Sequence, residues 1–544
     1  MLRGQMMDTP LMVSSIIAHA DRAHGHREVV TRSVEGPIHR YTYRDCHART
    51  QQLAHALLGL GIQPGDRLAT FAWNTYRHLE LYYGISGIGA VCHTVNPRLF
   101  HDQLEYIVNH AEDRYIFLDL NLVPLLEGLA DKFPKVEGYV VLTDRAHMPE
   151  TTLKDVLCYE ELLDGQPERF DWPQFDENTA AAMCYTSGTT GNPKGALYSH
   201  RSTVLHAMGI LACGTLTMNA DTTVLPVVPM FHVQAWGQPY AAPICGAKLV
   251  MPGFKLDGPS LCELFLSEGV TLSLGVPTIW MGMLNHLKET GLGIGNDLTL
   301  VSGGAAAPTS MIRALEEDHG IRFVQGWGMT ETSPVCAAGA EGPGFNGLDT
   351  DERYARKLKQ RRMFGVEFRI LDEEHKDLPH DGKTPGELVC RGPWVASGYY
   401  KDDKASKAVI TEDGWFRTGD VATIDGESLM QITDRTKDLI KSGGEWISSI
   451  DLESAAMGHP DVREAAAIAM PHPKWTERPM LIVVPREGCE LTPDAVRGYL
   501  DGRIAKWWMP DDIAFVDELP HTATGKVSKL QLRERFKDHV LPTV

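Results

Sequence analysis

Between Tyr185 and Gly195 the chain reads Tyr-Thr-Ser-Gly-Thr-Thr-Gly-Asn-Pro-Lys-Gly, directly after the apolar run Ala180 to Cys184. An apolar run that ends on such a loop reads as a strand giving way to a turn. Gly188 and Gly191 let the backbone approach an anion closely and aim successive N–H groups at it. The hydroxyls of Thr186, Ser187, Thr189 and Thr190 add donors, and Lys194 adds a positive charge. The chemistry that suits this composition is the binding of a polyphosphate. It is not a Walker A loop, because no Gly-Lys-Ser/Thr triplet is present.

The string resembles the phosphate loop of the adenylate-forming superfamily: acyl-CoA synthetases, firefly-type luciferases and the adenylation domains of peptide synthetases. The resemblance runs over nearly the whole chain, through further motifs in the expected order. Gly326-Trp327-Gly328-Met329-Thr330-Glu331-Thr332 resembles the adenine and metal segment. An aromatic ring between glycines makes a slot for a flat base, Thr330 can donate to an α-phosphate, and Glu331 is a hard carboxylate suited to Mg²⁺. Relatives more often carry Tyr where this chain has Trp327; stacking survives the change and a phenolic hydrogen bond does not. The resemblance also places Gln325 and Gly304 among the nucleotide contacts, and Thr186 beside Glu331 at the metal. Trp415-Phe416-Arg417-Thr418-Gly419-Asp420 matches the ribose motif. An ionised aspartate there can accept from both vicinal hydroxyls. Pro229-Met230-Phe231-His232-Val233-Gln234-Ala235-Trp236 is similar to the aromatic segment bordering the acid site. It implies a place for His232 near carboxylate and phosphate, and a gating role for Trp236. The implied acyl pocket comprises Val233, Gln234, Trp236, Gly275, Val276, Gly303 and Ala305.

Two further segments resemble the moving parts of the family. In Asp434-Arg435-Thr436-Lys437-Asp438-Leu439-Ile440-Lys441-Ser442-Gly443-Gly444-Glu445-Trp446 the resemblance puts Arg435 on ribose or phosphate and Lys437 at the hinge. It puts Gly443 and Gly444, with Glu445, at the thioester step, where a narrow backbone lets a pantetheine arm pass. Lys441 and Trp446 are weaker nucleotide contacts. Pro520-His521-Thr522-Ala523-Thr524-Gly525-Lys526 matches the catalytic-lysine motif. A carboxylate attacking an α-phosphate builds negative charge on phosphorus oxygens, and a mobile ammonium at Lys526 can offset it. The implied catalytic set is therefore Lys526, Glu331, Thr330 and His232.

Hydrophobic periodicity supplies the frame that must position these residues. Tyr43 to Leu60 has helical spacing, and Arg67 to Ala72, Ala90 to Val95, Tyr115 to Leu118 and Tyr139 to Leu142 read as short buried strands. This rhythm predicts an α/β fold with largely parallel sheets, whose ligands lie at the carboxyl ends of strands. Ala337 to Arg362 reads as a polar surface excursion. Beyond Asp438, strands over Ala465 to Met470, Met480 to Val484 and Ile513 to Val516 and a helix over Thr492 to Ile504 predict a small α+β domain. The expected division is residues 1–434 and 435–544. The resemblance fills in the first part as two β/α subdomains and a distorted β-barrel, and makes the second a mobile lid.

The 544 residues carry 52 basic and 71 acidic side chains, a net charge of −19. Such a chain is a poor non-specific ligand for nucleic acid or anionic membrane, whose phosphates repel it, and it leaves room for a local basic pocket that takes a phosphorylated small molecule. Ten scattered cysteines without a CxxC pair exclude zinc ribbons and indicate a reducing compartment, the cytoplasm. The first residues lack the apolar stretch of a signal peptide, and no run of about 18 apolar residues predicts a transmembrane helix; peripheral membrane contact stays open. The expected activity is an ATP-, Mg²⁺- and CoA-dependent, AMP-forming acyl-CoA synthetase acting on a medium- to long-chain fatty acid. Gln5-Met6-Met7, Asn74 to Leu79 and Asn96-Pro97-Arg98 resemble bacterial medium-chain members, a thermophilic long-chain member and methylmercaptopropionate-CoA ligases. A 3-methylmercaptopropionate-CoA ligase or another short-chain ligase is therefore an alternative, as are a luciferase-like oxygenase and a non-catalytic nucleotide-binding homologue. The thermophilic relative implies a homodimer through the N-terminal part.

Overall fold

The computed structural model describes residues 1–186, 192–295, 297–443, 445–522 and 526–544. The expected loop residues Ser187, Gly188, Thr189, Thr190 and Gly191, together with Gly444 and the side chain of Glu445, lie outside the described residues.

Two large sheets are built from the alternating segments. The first has the spatial order Val156–Cys158, Gly138–Val141, Asp113–Leu118, Arg67–Phe71, Val91–Thr94, Ala180–Tyr185, Gly195–Ser199. Its pairings are parallel except the last, where Gly195–Ser199 returns antiparallel to Ala180–Tyr185. That reversal places the Thr186–Lys194 loop at the strand's carboxyl end, where α/β sheets present ligand sites. Thr186 N donates to Lys194 O at 2.9 Å, and Lys194 N donates to Thr186 Oγ1 at 3.2 Å, so the two ends of the loop are pinned together.

The second sheet has eight strands, with Thr223–Pro226, Leu272–Gly275, Thr299–Ser302 and Arg322–Gly328 running parallel side by side. The motif residues Gly275, Gly303 and Gly326–Gly328 thus gather along one edge of it. Strands such as Leu272–Gly275 and Val91–Thr94 are buried along their whole length, including the polar Ser273, His93 and Thr94, as expected for sheets covered on both faces.

The third sheet, Gln360–Arg361, Leu429–Arg435, Phe416–Ile424, Gly386–Arg391 and Glu367–Leu371, is entirely antiparallel and distorted by register shifts at Glu387/Val389 and Val421/Ala422. It holds Asp420 opposite Arg435. The last sheet pairs Val462–His472 with Thr476–Pro485 and adds Asp512–Phe515 in parallel. The helices Ser449–Met457, Pro493–Leu500 and Lys529–Arg535 accompany it.

Two expectations need correction. The segment from Ala337 to Arg362 is not a surface excursion. Ala337, Ala338 and Ala340 are buried, and a capped helix, Thr350–Lys357, buries Tyr354 and Lys357. Lys357 is retained inside because its ammonium bridges Glu316 and Glu341, both at 2.8 Å, which satisfies a charge that periodicity alone reads as solvent-facing. The helix expected over Thr492 to Ile504 stops at Leu500, because Asp501 turns to an extended conformation and Gly502 follows with a φ of 77°. No described helix is long and apolar enough to cross a membrane.

Candidate active site

The edges of the first three sheets and the end of the small domain meet around a cavity of about 1180 Å³. Thr186, Lys194, His232, Gly304, Gly326, Trp327, Gly328, Thr330, Glu331, Arg435, Lys437 and Lys526 all line it. Residues separated by more than three hundred positions in the chain are therefore brought to one place.

Behind the wall formed by Trp327, Gly419 and Arg435, Asp420 is 6% exposed and accepts from Trp327 Nε1 at 2.9 Å through Oδ2. Arg435 Nε lies 3.3 Å from its other oxygen. The indole that replaces the more usual tyrosine thus has a polar function: it orients the carboxylate. Its ring is packed edge-on by Phe368, centroids 5.4 Å apart. Thr330 is held from behind, its carbonyl accepting from Tyr198 Oη at 2.8 Å.

Glu331 is buried and accepts from Tyr399 Oη at 2.6 Å. Burial pushes its carboxyl above the usual carboxylate range, against the pull of that hydrogen bond and of the Arg435 and Lys194 cations. Lys194 Nζ sits 5.1 Å from the Tyr399 ring centroid, a cation–π distance. Tyr399 therefore links the phosphate-loop lysine to the carboxylate, and sequence reasoning missed it; the signal available was an aromatic pair on a Gly398 turn. Among the described residues no group of three or more His, Cys, Asp or Glu could hold a metal. A single desolvated carboxylate facing a phosphate-sized space fits Mg²⁺, which takes one or two carboxylates and completes its shell with phosphate oxygens and water.

Lys526 enters from the small domain. A β-carbon built on Gly304 would stand 3.4 Å from Lys526 Cε, an ordinary contact distance, so the lysine stem packs against this glycine, whose φ of +81° is what favours glycine there. Burial, with Arg435 nearby, lowers the Lys526 ammonium to about 8. Burial, with Lys526 in second place, lowers the His232 imidazole to about 4. At neutral pH the site therefore sets the Lys526 cation near a neutral His232 imidazole.

The apolar end of the cavity is lined by Val233, Trp236, Gly275, Val276, Gly303 and Ala305. Gln234, expected with them, does not line it, and Gln238 does. The reason is a left-handed turn: Val233, Gln234, Ala235 and Trp236 have φ values of 45°, 53°, 48° and 53°. Such residues cost roughly 1–2 kcal/mol each, and strain of this kind collects at functional sites. The turn sends Gln234 into the protein, where its Nε2 has no hydrogen-bond partner among the described residues, and lets Trp236 close on Gly303. A β-carbon on Gly303 would lie 2.9 Å from the Trp236 ring. Gln325, expected among the nucleotide contacts, is also outside the cavity lining, although the next three residues of its strand, Gly326, Trp327 and Gly328, line it.

Lys441, Gly443 and Trp446 are likewise not on the cavity. Lys441 Nζ lies 3.5 Å from Glu373, and Gly443, with a φ of 61°, is roofed by Trp475. In this arrangement Lys526 lines the site and Gly443 does not.

The profile described as AMP-binding enzyme matches residues 17–400, and that of its C-terminal domain matches residues 451–526. The chain belongs to the AMP-binding enzyme family. A 3-methylmercaptopropionyl-CoA ligase of Ruegeria lacuscaerulensis is 47% identical over 98% of this chain and 99% of the relative. A medium-chain-fatty-acid–CoA ligase of Ectopseudomonas oleovorans is 46% identical over 99% and 98%. Among solved structures, an anthranilate CoA ligase in complex with anthranoyl-AMP superposes with a TM-score of 0.86, covering 97% of this enzyme and 98% of that chain at 23% identity; this likeness concerns the fold.

Proposed function

We propose that this enzyme is an AMP-forming acyl-CoA ligase that couples ATP to the activation of a medium- to long-chain fatty acid. The observation that carries the reading is the convergence of Lys526, Glu331, Thr330 and Arg435, the last of these 3.3 Å from Asp420, on one cavity that continues into the apolar pocket beneath Trp236. The names of the relatives support it. They support equally a second reading in which the acid is 3-methylmercaptopropionate, since the apolar pocket accommodates a thioether as well as an alkyl chain.

In the proposed mechanism Asp420 and Arg435 take the ribose and Trp327 bounds the adenine. Thr186, Lys194 and the remaining loop hydroxyls take the phosphates. Neutral His232 donates to the acid's carboxylate without pairing with it as a cation. That leaves Lys526 as the charge shared by the acid oxygen and the α-phosphate as the mixed anhydride forms and pyrophosphate leaves. Glu331, with Thr186, would hold Mg²⁺, which supplies charge neutralisation on the phosphate oxygens. The domain division at 434/435 belongs to this reading, with Lys437 as pivot. Rotation withdraws Lys526 and presents Gly443, Gly444 and Glu445, with Lys441 and Trp446 alongside, for attack of the CoA thiolate on the acyl carbonyl and release of AMP. The ten free thiols support a cytoplasmic setting, and the resemblance supports a homodimer.

The assay is release of pyrophosphate dependent on a carboxylic acid, followed by CoA-dependent release of AMP. Decanoate, butyrate and 3-methylthiopropionate are offered separately. Decanoate is expected to rank first in kcat/KM; 3-methylthiopropionate in first place selects the second reading, and no acid-dependent pyrophosphate release from any of them overturns both. A second expectation concerns the ribose contact. Hydrogen bonds to a charged group contribute about 1.5–3 kcal/mol. Asp420→Asn is thus expected to raise KM for ATP by about ten- to a hundredfold. Trp327→Phe keeps the ring and frees Oδ2, so a smaller rise in the same ATP titration is expected; an unchanged KM would remove the orienting role of the indole.

A further inference from the structure

Asp434 is the last residue but one of the strand Leu429–Arg435 of the third sheet and stands on the large-domain side of Lys437. Its partners stand on the other side. Ser449, the first residue of the lid helix Ser449–Met457, donates its backbone N–H to Asp434 Oδ2 at 2.6 Å and its Oγ hydrogen to Oδ1 at 3.0 Å. The preceding Ser448, the N-cap of that helix, donates from Oγ to Thr433 O at 2.6 Å. A helix start carries unsatisfied N–H groups and a partial positive charge, and here a carboxylate from another domain accepts from it. Asp434 is 1% exposed, so the contact is shielded from water.

The contact is also tied to the catalytic lysine. Lys529 follows Lys526 by three residues and begins the helix Lys529–Arg535. Its Nζ donates to Ser449 Oγ and lies 2.8 Å from Glu453. A continuous path thus runs from Lys529 through the Ser449 hydroxyl to Asp434. One turn on, Arg533 Nη1 binds Asp438 at 2.9 Å. The segment that delivers Lys526 is therefore fastened to the hinge strand at both sides of Lys437.

We propose that Asp434 is a positioning residue, a latch that holds the lid in the orientation with Lys526 in the site and must let go of Ser449 before the thioester step. This rests on the two-orientation reading above. A carboxylate that binds the lid in one orientation only shifts the equilibrium between them by its differential affinity. The latch therefore favours adenylate formation and opposes thioester formation.

The test measures both half-reactions of the full-length enzyme: decanoate-dependent pyrophosphate exchange, and CoA-dependent consumption of supplied decanoyl-adenylate. Asp434→Asn removes the charge, and Ser449→Ala removes the hydroxyl while keeping the backbone bond, with thermal unfolding as the folding control. Trypsin cleavage after Arg435 and Lys437 reads the hinge independently of turnover. In Asp434→Asn, pyrophosphate exchange is expected to fall by about tenfold. Consumption of the adenylate should hold or rise, and hinge cleavage should quicken. Ser449→Ala is expected to shift both readouts in the same direction by less. A parallel loss of both half-reactions, or no change in either, overturns the latch. If wild type performs neither half-reaction, the ligase reading falls. The latch is then decided by cleavage alone, faster in the variants supporting it and unchanged overturning it.

Discussion

Lys526→Ala lowers carboxylate-dependent pyrophosphate exchange by about 10²–10³-fold and leaves CoA-dependent consumption of supplied acyl-adenylate near the wild-type rate. The asymmetry follows from geometry. Lys526 lies against Gly304 on the same cavity as Glu331 and Thr330, so its ammonium is available where charge builds on the α-phosphate. In the orientation proposed for the second step it is withdrawn, and its side chain is irrelevant to attack by the thiolate. Equal loss in the two half-reactions would end the proposed division of labour.

The same lysine sets an alkaline limit. Burial lowers its ammonium to about 8, and the cationic form is the active one. The sign is therefore a rate that is full below that pH and declines above it. In kcat/KM for ATP, which reports the free enzyme, the alkaline limb of adenylate formation is expected near pH 8. In kcat the limb moves higher, because bound phosphates favour the cation. Lys526→Arg stays charged at all accessible pH values and should flatten this limb whatever its maximal rate. A limb that persists unchanged in that variant would belong to another group.

Much of this site was legible in the chain because its motifs sit where regular elements end. The strand Ala180–Tyr185 could be read from its apolar run, and the loop after it from its glycines and hydroxyls. The same holds for Gly303 after Thr299–Ser302 and for Gly326–Gly328 at the end of its strand. What could not be read depends on partners distant in sequence. The bond from Trp327 to Asp420 joins residues 93 positions apart, and Tyr399 reaches Glu331 across 68. Local pattern carries no information about such pairs. The left-handed turn at Val233–Trp236 was hidden for a different reason: Val and Trp disfavour positive φ, so propensity argues against the conformation that excludes Gln234 and admits Gln238 to the pocket. Lys357 misled in the same way, since its burial depends on Glu316 and Glu341. Sequence patterns place strands and their ends, and tertiary pairing decides which polar side chains are drawn inside.

Glu331→Gln is the complementary prediction, and its stability effect opposes its activity effect. The amide keeps the volume and can still accept from Tyr399 Oη, but it cannot neutralise a divalent cation. Adenylate formation should fall by about 10²–10³-fold, the scale of losing several kcal/mol of charge stabilisation. Because burial raises this carboxyl above its ordinary value, ionising it costs the folded state more than the unfolded chain. Wild-type stability attributable to this group is present at low pH and is lost as pH rises past the ordinary carboxylate range. At neutral pH the glutamine variant should therefore unfold at the same temperature as wild type or above it, with a flatter dependence on pH across the mildly acidic range. Ligand linkage separates the two roles. Adding Mg²⁺ to ATP should increase the thermal shift of wild type and add nothing in the variant. A variant that is inactive and also less stable would make Glu331 a structural group. One that is stable and inactive but still responsive to Mg²⁺ would place the ion on other oxygens, with Thr186 the first to examine.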